Sequence, residues 1–96
     1  MTTPADLRRS YRAAFLRYLA RGEEAALVAG YELGRSALAS GLSLLEVVRV
    51  HHEVLTEVLA GSPPAEVPVV ADAASGFLYE VLASYEMAGR GRPGDS

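Results

Sequence analysis

The 96-residue sequence has no cysteine, tryptophan, lysine, asparagine, glutamine or isoleucine. Without cysteine there is no disulfide framework, no thiolate nucleophile, no cysteine-based zinc site and no iron–sulfur cluster. Histidine is confined to the adjacent pair His51 and His52, so a multi-histidine metal site needs carboxylates or a second chain. No apolar run approaches the length of a membrane span, and the start lacks the basic-then-apolar order of a signal peptide. The expectation is a cytoplasmic chain with no membrane partner. There is no Gly-x-Ser-x-Gly elbow, no phosphate-binding glycine loop and no His-Glu-x-x-His, so no catalytic residue, metal or cofactor is assigned. The missing amides and isoleucine, with arginine as the only strong cation, read as a GC-rich coding bias and carry no function.

What is present is half hydrophobic and long enough for one domain. The formal charge of −3 conceals a split. Residues 1–21 carry Arg8, Arg9, Arg12, Arg17 and Arg21 against Asp6, a net +4, whereas residues 22–88 sum to −8. A basic segment precedes an acidic body.

Spacing and caps predict four helices, about 4–21, 23–40, 44–60 and 66–87, in a single domain over 1–88, and a disordered tail over 89–96. Thr3, Pro4 and Asp6 mark the first start, and Leu7, Tyr11, Ala14, Phe15 and Tyr18 form one face until Gly22. Glu23 and Glu24 open the second helix, and Gly41 stops it. Its large apolar residues are Leu27, Tyr31 and Leu38. Beside them runs a strip of small ones, Ala26, Gly30, Gly34 and Ala37, fit for close approach of another helix. Ser43 and Glu46 form a capping box for the third helix, and Gly61 closes it. Leu44, Val48, His51, Leu55, Val58 and Leu59 make its stripe, widened by Val47 and Val54, an arc broader than one neighbour needs. After Pro63 and Pro64, residues from Val67 to Tyr85 alternate in steps of three and four. No strand pattern is present. The fold class is all-α, a four-helix bundle.

Helical neighbours point about 100° apart, so His51 and His52 do not face one ion, and His51 reads as a core or interface histidine. The five arginines spread around their helix instead of forming a stripe, so they read as partners of acidic faces, with nucleic acid disfavoured. Four helices in fewer than ninety residues have a modest core, and such domains gain stability by association. Leu16, Gly30, Gly34, Val47 and Val54 are the residues assigned to packing or to a homodimer.

The stretch Tyr31-Glu32-Leu33-Gly34-Arg35, then Leu38, Gly41 to Glu46, His51-His52-Glu53 and Leu55, resembles the N-terminal domain of RsbU-type phosphoserine phosphatases. The run Phe77 to Met87 is similar to that domain's closing helix. The resemblance implies a dimeric, non-catalytic helical domain that receives an RsbT-like serine kinase and activates an attached phosphatase in partner-switching control of a stress sigma factor. No phosphatase domain follows in these 96 residues. Under this reading Arg35, Glu53 and Glu86 are outer-face contacts for the partner, and Tyr79 and Met87 are its apolar anchors. The competing reading is a bundle that senses a small apolar molecule between the third helix and the Gly30/Gly34 strip.

Overall fold

The computed structural model describes residues 2–22 and 24–90. Among them are four α-helices and no strand: α1 Pro4–Arg21, α2 Glu24–Ala39, α3 Leu44–Ala60 and α4 Val67–Arg90, with a 3-10 turn at Pro64–Glu66 before α4. Glu23, expected to open the second helix, lies outside the described residues, as do residues 91–96 of the expected tail.

Several of these boundaries have a local chemical cause. Thr3 accepts from the Asp6 amide, and Asp6 accepts from the Thr3 amide, both at 3.1 Å, with Pro4 at the first helical position. The bonds from Thr3, with Arg9 nearby, hold the Asp6 carboxyl below its usual value. Gly22 ends α1 at φ 60°, and Gly41 turns the chain at φ 77°. Ser43 and Glu46 repeat the reciprocal cap at α3. At its far end, α4 continues through Gly89 and Arg90, one turn beyond the predicted stop. The last turn is held by an Arg90–Glu86 ion pair, and Gly89 lies against Leu38 of α2.

The helices are arranged in the ring order α1, α2, α4, α3. Thr2, at the head of α1, bonds Ser36 and Ser40 at the end of α2, so α1 and α2 are antiparallel. α1 and α3 run side by side in the same direction, Arg8 meeting Glu53 and Arg12 meeting Glu57. α2 and α4 also run together, Gly30 against Phe77 and Gly34 against Ser84. α3 and α4 close the ring and touch least of the neighbouring pairs. The link 40–43 therefore carries the chain across the diagonal. It is pinned there by the Tyr85 hydroxyl, which donates to the Leu42 carbonyl at 2.7 Å.

Phe77 is the centre of the core. Tyr11 stands edge-on to it at 5.1 Å, with Phe15 at 5.7 Å and Tyr18 at 6.0 Å. Leu7, Val47, Val54 and Val81 are fully buried around this cluster. α3 differs from its predicted stripe: Val50 is buried, while Leu44 and Val48 are exposed. The core-facing line is Val47, Val50 and Val54, and the predicted stripe lies on the flank toward α4, where the two helices meet loosely. One helix departs from the expectation that no apolar stretch approaches the length of a membrane span. Pro64–Arg90 is long and apolar enough to cross a bilayer by length and composition, with a mean hydropathy of 1.2 over 18 residues. Its inner stripe, Val70, Ala74, Phe77 and Val81, belongs to the bundle core, while 28% of that apolar window as a whole is buried.

Candidate partner-docking surface

Two sides of the bundle have opposite character. On the α1–α3 side the charges are matched within the chain. Arg8 lies 3.4 Å from Glu53 and 3.7 Å from Glu57, and Arg12 pairs with Glu57. The bond from Arg12, with the charge of Arg8 behind it, holds the Glu57 carboxyl below its usual value. The basic first helix is thus a complement to the acidic third. Glu53, expected to meet a partner, faces Arg8 on this side, away from the other four residues assigned to that role.

Beneath these ion pairs, Tyr11 and His51 share a hydrogen bond of 2.9 Å between the phenol and Nδ1. Burial pushes the His51 pKa down and the Tyr11 pKa up, so both partners are held neutral. His51 is therefore a half-buried core histidine, and His52 is exposed. Among the described residues no three His, Asp or Glu side chains converge to hold a metal ion.

The strip of small residues on α2 receives α4. A Cβ built on Gly30 would sit 3.1 Å from the Phe77 ring, and one on Gly34 would collide with the Ser84 hydroxyl and the Val81 carbonyl oxygen. Phe77 and Ser84 thus occupy the space in which the competing reading put a small molecule. Val47 and Val54 are fully buried within the chain, which leaves them unavailable to a second copy. Leu16 is half-buried on α1.

With its inner face against α2, α4 presents an outer face carrying Val69, Tyr79 and Met87, all more than half exposed. A groove lies on each side of this ridge. Between α2 and α4, one groove is lined by Glu24, Leu27, Val28, Tyr31 and Glu80, and continues through Tyr31 to Arg35, Met87 and Ala88. The Arg35 guanidinium stands 5.9 Å above the Tyr31 ring, which fixes the aromatic wall there. Between α3 and α4, the second groove encloses about 470 Å³ and is lined by Leu44, Val48, Leu82, Tyr85, Glu86 and Gly89. Four of the five residues assigned to partner contact are on this side. Arg35 and Met87 line the first groove, Glu86 lines the second, and Tyr79 stands on the ridge at 74% exposure. Sequence reasoning missed Val28 and Glu24 in the first groove and Leu44 and Val48 in the second. An apolar Val28 one position beyond the Leu27 stripe was the available signal for the first groove.

Residues 9–88 match the sequence profile of the family described as phosphoserine phosphatase RsbU, N-terminal domain. No curated protein and no solved structure matches the chain.

Proposed function

The chain belongs to the RsbU N-terminal domain family, and from that premise we propose that it is a dimeric cytoplasmic regulatory module that docks a switch kinase of the RsbT type in partner-switching stress signalling. The domain is regulatory and not the catalytic part of such a phosphatase.

The observation that supports docking is the groove between α2 and α4. Interface anchors are large side chains set in a partly apolar surface with charged groups at its edge. Val28, Tyr79 and Met87 supply exposed apolar area here, and Glu24, Glu80 and Arg35 supply the charged edge. The opposite α1–α3 side offers little of this kind, because its charges already pair with one another. Docking a partner on α2 and α4 needs no movement of the core, since Gly30 and Gly34 already hold those two helices in contact.

Calorimetric titration of the chain with an RsbT-like kinase from the same organism tests the proposal. A saturable complex is expected, weakened by about tenfold or more by Tyr79→Ala or Val28→Asp, as for loss of an interface anchor. An absent complex overturns the reading, as does a complex indifferent to both substitutions.

A further inference from the structure

We infer that the partner segment seated between α2 and α4 carries cations opposite Glu24 and Glu80 and a carboxylate opposite Arg35, in that order along the groove. The inference rests on the docking proposed above and specifies the chemistry of the surface that docks.

Contacts between the two helices fix the order of the charges. α2 and α4 run in the same direction, with Gly30 against Phe77 and Gly34 against Val81 and Ser84, so Glu80 stands level with Tyr31. The groove therefore reads Glu24 at its head, Glu80 beside Tyr31, and Arg35 one turn further on. None of these three has an ion-pair partner among the described residues, whereas Arg8, Arg12, Glu53 and Glu57 on the opposite side pair with one another. The unmatched charge of the module thus lies along the same groove as its exposed Val28 and Met87.

Burial makes that charge selective. Glu80 is already half-buried. A partner that covered it with a neutral surface would leave a carboxylate desolvated and unpaired, which opposes binding, and a cation removes that penalty. The Arg35 guanidinium, held over the Tyr31 ring, calls for a carboxylate by the same argument. The count also weighs against a second copy as the occupant. In a twofold pairing Glu24 can meet the second copy's Arg35, but each groove brings two carboxylates and one guanidinium, so Glu80 stays unmatched. A partner surface with an excess of cations balances the groove.

Calorimetric titration with the RsbT-like kinase at low and high salt tests the pattern, using Glu24→Gln, Glu80→Gln and Arg35→Gln beside the unaltered chain. Each single variant is expected to weaken the complex about tenfold at low salt, where charges are least screened. The double variant Glu24→Gln/Glu80→Gln is expected to lose most of the salt dependence. Glu80→Gln separates the alternatives by sign, because under a neutral or acidic partner surface it strengthens binding. Binding that Glu80→Gln strengthens, or that any of the three variants leaves unchanged, overturns the charge pattern, and the docking surface stands if Tyr79→Ala still weakens the complex. If no complex forms, or if Tyr79→Ala and Val28→Asp leave it intact, the docking reading fails and this inference with it. Sedimentation velocity of the chain alone gives the remaining outcome: a self-associated species that Arg35→Gln dissociates places a second copy in the groove and overturns the inference.

Discussion

At the scale of the residue, two glycines of one composition have opposite meanings. Gly34 is pressed against the Val81 carbonyl oxygen, the Ser84 hydroxyl and the Tyr85 amide nitrogen of α4, whereas a Cβ on Gly76 meets nothing within 4 Å. A helix-interior glycine costs about 1 kcal/mol relative to alanine, so Gly76→Ala is expected to raise stability by roughly that amount. Gly34→Ala gains the same propensity but forces α2 and α4 apart, an overpacking cost of about 1–3 kcal/mol, so a net loss is expected. Denaturant midpoints of the two variants check both signs. The Tyr11–His51 pair gives a second expectation. Because folding lowers the His51 pKa from 6.5, the unfolded chain binds its proton more readily. The stability this group contributes is complete above 6.5 and is lost as pH falls below it, through the folded value. Unfolding midpoints measured between pH 7.5 and 5 should therefore decline, and His51→Gln should flatten that decline. A profile identical in the two proteins would show that His51 is not the group responsible.

Among the elements, α1 and the N-terminal caps of α1 and α3 were the most legible in the sequence. The two capping boxes, Thr3 with Asp6 and Ser43 with Glu46, are local signals that need no knowledge of neighbours, and both are present. Removing the second by Ser43→Ala should cost about 1 kcal/mol, read as a lowered melting temperature with the α3 fold retained. Long-range placement was less legible. The breadth of the apolar arc on α3 showed that more than one surface contacts that helix. It did not show that Val50 turns to the core while Leu44 and Val48 stay outside. That choice is made by the diagonal link 40–43 and by how loosely α4 lies alongside, neither of which leaves a periodic mark. α4 also runs through Gly89, a residue that reads as a stop when only local propensity is considered. Contact with Leu38 and the Glu86–Arg90 pair hold the extra turn.

For the whole molecule, the initial contrast between a basic segment and an acidic body becomes a division of labour between surfaces. Arginines of α1 neutralise carboxylates of α3 and leave that side self-contained. The other side keeps exposed valine, tyrosine and methionine along α2 and α4. Residues off the seam in the sequence, Tyr79 and Met87, were recognisable there as surplus apolar surface. Val28 and Glu24 were not, because their relation to Glu80 exists only once α2 and α4 lie side by side in the same direction. The most direct test of the docking claim is a titration of the isotope-labelled chain with an unlabelled RsbT-like kinase, followed by amide chemical shifts. Docking between α2 and α4 concentrates the shifts at Leu27, Val28, Tyr31, Tyr79, Glu80 and Met87. Shifts concentrated instead around Arg8, Glu53 and Glu57 on the α1–α3 side, or no shifts at saturating kinase, would contradict it.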